Sequence, residues 1–90
     1  MKLTDFKFVS KKEAANLLGI SVTTLNRRRK TLEEWVENVH YVQRDSREYE
    51  YNQELLRAWH DRAIDPHGYT NTLQAFLQAV EASQKRRKAG

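Results

Sequence analysis

Residues 10–30, SKKEAANLLGISVTTLNRRRK, contain the start and stop signals of two short helices joined by a tight turn. Ser10 followed by Glu13 is a capping-box pattern, which marks the start of a helix. Gly19 suits the left-handed residue that ends such a helix, and Ser21 is a favoured N-cap for the next one. Two short helices with a glycine-containing turn are typical of a helix-turn-helix motif. The pattern predicts helices over residues 11–18 and 22–30.

The second helix ends in four consecutive basic residues. If Leu25 points into the core, the 100° step per residue turns one of Arg28 and Arg29 inward or sideways. The outward residues are then Thr23, Asn26, Arg27 and Lys30. Two interpretations are open: the run meets a polyanion, or it complements the helix dipole and stays solvated.

Charge is unevenly distributed along a chain whose formal net charge is +4. Residues 1–30 hold eight basic and two acidic residues, and residues 31–84 hold four basic and ten acidic ones. Residues 85–90, KRRKAG, hold four basic residues and no acidic one. Charge kept only for solubility would be mixed, so two basic ends around an acidic middle favour a polyanionic partner.

Ninety residues without cysteine predict one small domain with neither disulfides nor thiolate metal sites. The N-terminus lacks the apolar segment of a signal peptide, and no stretch approaches membrane-spanning length, so we expect a cytoplasmic protein with no membrane contact. His40, His60 and His67 are too scattered for a metal site, and no catalytic triad, carboxylate pair or phosphate loop stands out. We therefore expect a non-enzyme without a cofactor.

The middle of the chain predicts a β-hairpin followed by a third helix. Residues 31–39 fit either a short helix or an irregular connection with Trp35, Val36 and Val39 buried. HYVQ and EYEY alternate polar and apolar residues on either side of the turn RDSR, which predicts a hairpin with two arginines at its tip. Asn52 is a good N-cap for a helix over residues 53–64. Its apolar residues follow helical spacing, and the aromatic residues of this region fit a core better than a stacking platform.

Asp65-Pro66 and Gly68 predict a break in the chain. We therefore divide the chain into a domain over residues 1–64, a linker over residues 65–70 and a last helix with a basic tail over residues 71–90, capped by Thr70 or Asn71. One apolar stripe of this helix would either pack on the domain or form an oligomer or partner interface. The stripe consists of Leu73, Phe76, Leu77 and Val80.

The order helix-turn-helix, hairpin, helix predicts a mainly α fold with a small hairpin, a winged helix-turn-helix followed by a C-terminal helix. VSKKEAANLLGISVTTLNRRRK resembles the opening of excisionase-type and MerR-like DNA-binding domains, and WVENVHYVQRDSREYEYNQELLRAW resembles their wing and following helix. The resemblance covers residues 8–62. It departs from the family at Arg28, where members commonly have Trp or Tyr. DNA-packaging small subunits of phage terminases share the domain type, so the resemblance indicates a fold better than a role.

A helix of this kind would lie in the major groove of double-stranded DNA. Thr23, Asn26 and Arg27 offer contacts to thymine, adenine and guanine respectively. The phosphate backbone would meet a larger set, to which the resemblance adds the arginines of the hairpin tip. This set comprises Lys11, Lys12, Arg28, Arg29, Lys30, Arg44 and Arg47.

These features together favour a small sequence-specific DNA-binding protein, either an excisionase-like recombination directionality factor or a transcriptional regulator. The partners we expect are double-stranded DNA, further copies of the chain on that DNA, and a recombinase or other protein. Two alternatives stay open: an adaptor that binds another protein through the last helix, and a DNA-packaging recognition subunit.

Overall fold

Four α-helices and a three-stranded antiparallel sheet make up a small α/β domain in the computed structural model, which describes residues 2–89 and their side chains up to Gln84. The strands are β1 (Phe8–Ser10), β2 (Tyr41–Gln43) and β3 (Tyr49–Asn52). The helices are α1 (Lys11–Leu18), α2 (Val22–Thr31), α3 (Gln53–His60) and α4 (Pro66–Ala89). A 3-10 turn at Leu3–Asp5 precedes them.

The local signals around α1 and α2 act as predicted. The Ser10 and Ser21 hydroxyls accept hydrogen bonds from the backbone N–H groups of Glu13 and Thr24, at 3.3 and 3.1 Å. Gly19 has φ 69°, the left-handed conformation that glycine adopts at least cost. The N–H groups of Gly19 and Ile20 bond to the carbonyls of Asn16 and Ala15, which is the Schellman pattern that ends a helix. The Glu13 side chain makes no return bond within the described residues, so only half of the capping box forms.

The predicted hairpin is confirmed, and it belongs to a larger sheet. Tyr41 pairs with Tyr51 and Gln43 with Tyr49, so the tyrosines share one face. Strand β1 then pairs with the other edge of β3, which gives the strand order β1-β3-β2. This third strand was not predicted. It ties the segment before α1 directly to the hairpin.

Two adjoining apolar clusters form the core. The first joins α1, α2, the sheet and α3, and its buried members include Leu18, Leu25 and Trp59. The second joins the N-terminal segment, α3 and α4 through Phe6, Leu55 and Phe76. The rings of Phe6 and Phe76 meet edge to face with their centroids 5.0 Å apart. Helix α4 is thus part of the same packed unit as the helices before it.

The connection after α2 is irregular. Trp35 is buried as expected, but Val36 is 50% exposed, so its predicted burial is wrong. Asn38 adopts φ 69° in the turn, a conformation that asparagine tolerates better than most residues. His40 follows, almost completely buried, and its carbonyl accepts the N–H of Asn52. Asn52 also caps α3, as predicted, by accepting the Leu55 N–H.

The predicted linker over residues 65–70 is wrong. Helix α3 ends at His60 rather than near residue 64, and after one turn α4 begins at Pro66. Asp65, not Thr70 or Asn71, caps α4, because its carboxylate accepts the Gly68 N–H at 2.9 Å. Proline is favoured at the first position of a helix, where its missing N–H costs nothing. The residues interpreted as a break are therefore a start signal.

Candidate nucleic-acid interface

The outward face of α2 carries the candidate contacts to nucleic acid. Leu25 is fully buried, and this fixes the rotation of the helix. Thr23, Arg27 and Lys30 are exposed, as the helical step predicted, whereas Asn26, also predicted to face outward, is half-buried. Neither basic side chain has a carboxylate partner within the described residues. The Thr31 hydroxyl closes this helix by donating to the Arg27 carbonyl at 2.8 Å.

Arg28 and Arg29 lie on the inner side of the helix. The Arg29 guanidinium carbon is 3.7 Å from the ring centroid of Tyr49, and that of Arg28 is 5.6 Å from the ring of Trp59. Both side chains are half-buried. The helix thus turns both arginines toward the fold, where the sequence predicted that only one would turn inward or sideways. They connect α2 to the hairpin and to α3 through cation–π contacts.

Arg29 also acts on a buried tyrosine. Burial raises the pKa of Tyr51, and the positive charge of Arg29 opposes part of that rise. The Tyr51 hydroxyl and Arg29 Nε are both buried without a hydrogen-bond partner among the described residues. Arg29 therefore belongs to the packing between α2 and the sheet.

Two further lysines flank the start of α1. Lys12 is exposed and Lys11 is half-buried. Lys12 lines a shallow groove beside the turn between the helices, together with Ile20, Ser21 and Val22. Neither lysine has an ion-pair partner within the described residues. Lys11 and Lys12 of α1, with Arg27 and Lys30 of α2, are therefore cations of the helix pair that are available to a ligand.

The hairpin tip, unlike the exposed face of α2, carries both basic and acidic side chains. Arg44 Nε donates to the Glu50 carboxylate at 2.7 Å, the one ion pair between side chains that the structure describes. Arg47 is exposed and unpaired in the same region. Asp45 closes the turn by accepting the Ser46 N–H, and it lies near Glu48, whose carbonyl accepts the Asp45 N–H. Of the two hairpin arginines predicted to contact the phosphate backbone, Arg47 alone has no ion-pair partner among the described residues.

The large aromatic residues pack inside the protein. Trp35, Tyr51 and Trp59 are buried and stack edge to face, with the two tryptophan centroids 5.2 Å apart. The partly buried Tyr41 and Tyr49 continue this cluster at 5.9 Å from each other. The expectation that these residues form core rather than stacking platforms is confirmed for the three buried ones.

The apolar stripe of α4 divides between core and surface. Phe76 is only 2% exposed, and Leu73 and Val80 pack beside it against the second cluster. Leu77 is 45% exposed. Of the two alternatives for the stripe, packing on the domain therefore holds for Phe76, and Leu77 alone is left facing outward. The side chains of the basic tail, 85–88, lie outside the described residues.

No group of three or more potential metal ligands occurs within the part of the chain that the structure describes. His60 and His67 are exposed, whereas His40 is buried. None of the described helices combines the length and apolarity needed to cross a bilayer. The chain matches no known protein family, no curated protein and no solved structure.

Sequence reasoning missed two features that shape this surface. It could not pair Arg28 and Arg29 with Trp59 and Tyr49, because these rings are distant in sequence. It also missed the ion pair of Arg44, although the strand pattern carried a signal for it. Glu50 lies opposite Val42 across the strands, and Arg44 follows Val42 by two residues, so a side chain from position 44 can reach Glu50 on the same face.

Proposed function

We propose that the protein binds double-stranded DNA sequence-specifically through a winged helix-turn-helix, with α2 in the major groove. In this proposal it serves as an excisionase-like recombination directionality factor or a transcriptional regulator. The resemblance of residues 8–62 to excisionase-type and MerR-like domains supports both roles. Both use the same contact between α2 and DNA.

The observation that carries the proposal is the set of exposed, unpaired cations on the helix pair α1 and α2. Arg27 and Lys30 project from α2, and Lys12 projects from α1, without carboxylate partners within the described residues. Free surface cations are attracted to phosphate, and each phosphate contact releases condensed counterions from DNA. The helix pair carries one acidic residue, Glu13 of α1, against six basic ones, so its net charge is positive.

The exposed residues of α2 also supply base-reading chemistry. An α-helix fits the major groove, and residues near its N-terminus reach the base edges. Thr23 offers a methyl group to thymine, and Asn26 and Arg27 offer paired hydrogen bonds to adenine and guanine. The half-buried Asn26 keeps part of its side chain accessible beside these two residues.

The hairpin contributes less than the helix in this proposal. Arg47 is free to reach a phosphate or the minor groove, but Arg44 is paired with Glu50. Asp45 and Glu48 flank the tip and repel phosphate. We therefore assign phosphate contact in the hairpin to Arg47 alone.

The adaptor alternative loses its main surface. It relied on an apolar stripe of α4, and Phe76 from that stripe packs in the core of the same chain. A packaging subunit would need a separate oligomerisation region in the same helix. We keep the DNA contact as the proposal and test it directly.

The experiment is a titration of a labelled random-sequence duplex at salt concentrations between about 50 and 200 mM, read by fluorescence anisotropy. The variant is R27A/K30A, which leaves the packed Arg28 and Arg29 in place. We expect the magnitude of the slope of log K against log salt to fall in the variant, by about one for each of the two cations that contacts a phosphate. Affinity at the lower salt should fall with it.

The charge-matched control is K2A/K7A, which removes two exposed lysines from the N-terminal segment. Its slope should equal that of the unchanged protein. Absence of binding at the lower salt would overturn the proposal. Equal slopes for the variant and the control would remove α2 from the interface.

A further inference from the structure

The Arg29 guanidinium is held between α2 and the hairpin. Its central carbon lies 3.7 Å from the ring centroid of Tyr49, so the group rests on the face of that ring. Arg29 Nε is buried without a hydrogen-bond partner among the described residues, and so is the hydroxyl of Tyr51, a residue with 0% exposure. The charge of Arg29 reaches this hydroxyl, because it opposes the rise that burial gives the pKa of Tyr51. The two tyrosines therefore enclose the inner side of the guanidinium.

The outer side of the same guanidinium faces solvent. Arg29 is only half-buried, and Nε alone of its guanidinium nitrogens is both buried and unpartnered. The two terminal nitrogens make no hydrogen bond within the described residues, so their donors are open to a ligand. A stacked arginine presents these donors as a planar fork, and the fork matches the spacing of two phosphate oxygens.

No carboxylate within the described residues balances the charge of Arg29. Glu50 lies between Tyr49 and Tyr51 in β3, so it points to the other face of the sheet, where it binds Arg44. Glu48 precedes the strand and forms no ion pair in this part of the chain. A partly buried cation without a counter-ion costs free energy, and an anion that arrives from outside offsets this cost. The site therefore favours an anionic ligand.

The position of Arg29 on α2 indicates which anion it would meet. Asn26, proposed above to read adenine, lies one helical turn before Arg29, and the exposed Lys30 follows it. Arg29 thus lies at the edge of the helix face that would enter the major groove. The sugar-phosphate backbone borders that groove, so the anion expected at this edge is a phosphate of DNA.

We propose that Tyr49 is a positioning residue for DNA binding, which holds Arg29 so that its terminal nitrogens bind a backbone phosphate. The inference rests on the proposed function, and it gives the hairpin a role that does not involve its tip. A mobile arginine loses rotamer freedom when it binds phosphate, whereas the stacked Arg29 is already ordered. The tyrosine therefore raises the affinity without touching the DNA.

The test compares R29Q and Y49L in the duplex titration described above. R29Q removes a phosphate contact, so the magnitude of the slope of log K against log salt should fall by about one. Y49L leaves the charge in place, so the slope should stay the same. The affinity at the lower salt should fall about three- to tenfold in Y49L, because Arg29 must then be ordered on binding. In an R29Q background, Y49L should leave the affinity unchanged.

Two further variants control for the ring and for packing. Y49F keeps the ring and should bind like the unchanged protein. Y41L is the matched control, because Tyr41 lies on the same face of the sheet, 5.9 Å from Tyr49 between centroids, and has no arginine stacked on it among the described residues. Its affinity should be unchanged. Urea denaturation establishes that each variant is folded in the titration, and Y49M takes the place of Y49L if Y49L is not.

The outcomes separate this proposal from the proposed function. An R29Q slope equal to that of the unchanged protein would overturn the proposal. A Y49L loss that persists in the R29Q background would also overturn it, since Tyr49 would then act through the fold. If R27A/K30A lowers the slope and R29Q does not, the proposed function stands without this contact. Absence of DNA binding by the unchanged protein at the lower salt would overturn both.

Discussion

At the scale of single residues, the basic run of α2 contains side chains with two different roles. Arg27 is exposed, whereas the Arg29 guanidinium lies 3.7 Å from the Tyr49 ring centroid and its Nε is buried. The attraction between a cation and an aromatic ring contributes about 0.5–2 kcal/mol to the free energy of unfolding, with the larger values where water is excluded. Arg29 is therefore expected to stabilise the fold, and Arg27 is not.

We predict that R29Q lowers the free energy of unfolding by about 1 kcal/mol, while R27Q changes it by less than about 0.5 kcal/mol. Urea denaturation of both variants measures the difference. The aromatic partner provides the control: in a Y49L background, R29Q should cost markedly less, because the ring contact is already gone. Equal losses for R27Q and R29Q would show that the stacking has no energetic value.

At the scale of the helix, Gly68 in the first turn of α4 is a residue of low helix propensity at a position with little room for a Cβ. Alanine is better than glycine inside a helix by about 1 kcal/mol, so G68A would ordinarily stabilise. Here a Cβ on Gly68 would collide with the Asp65 carboxylate, the group that caps the helix. We predict that G68A gives no gain and lowers the thermal midpoint, because the cap is displaced.

The matched experiment repeats G68A in a D65A background, where the colliding carboxylate is absent. There the substitution should raise the thermal midpoint, as helix propensity requires. A rise of similar size in both backgrounds would mean that the Asp65 cap moves aside at no cost. The comparison isolates the cap from the effect of propensity.

The starts of the four helices show where sequence reasoning succeeds and where it fails. Ser10, Ser21 and Asn52 could be identified as caps because each bonds to a backbone group three residues away. Pro66 could not be assigned in the same way, since proline both follows broken helices and begins new ones. Packing decides between the two, through contacts such as Phe6 with Phe76 that join residues 70 positions apart in the chain. Strand β1 was missed for the same reason, because its partner β3 is distant in sequence.

In the candidate site, too, the sequence predicted the direction of some side chains and not of others. The outward direction of Thr23 and Arg27 followed from the burial of one leucine, because a helix has a fixed angular step. The inward stacking of Arg28 and Arg29 did not follow, since it needs the positions of Trp59 and Tyr49 in the folded chain. Charge counted along a sequence therefore overstates the charge that a surface offers.

At the scale of the whole molecule, one buried histidine connects α4 to the rest of the fold. His40 is 1% exposed; its Nδ1 accepts the Val36 N–H at 3.0 Å, and its Nε2 lies 2.9 Å from the Tyr69 hydroxyl. An acceptor role for Nδ1 leaves the proton of the neutral ring on Nε2, which can donate to Tyr69. Burial lowers the pKa of His40 from 6.5 to about 4, although the Glu34 carboxylate opposes the fall. The folded protein thus holds this ring neutral where the unfolded chain would protonate it.

Between pH 6.5 and pH 4 the unfolded chain binds more protons at His40 than the folded one, so stability falls as the pH is lowered through this range. The pKa difference corresponds to about 3 kcal/mol, fully retained above pH 6.5 and lost as the pH approaches 4. Urea denaturation at a series of pH values should show this loss, and H40N should show a much smaller one, because its amide oxygen can accept the Val36 N–H but does not titrate.

The control H67N alters an exposed histidine, and the dependence of its stability on pH should equal that of the unchanged protein. If H40N and H67N lost stability equally with acid, carboxylates elsewhere in the fold would be responsible, and His40 would not be the group that sets the acid limit of the domain.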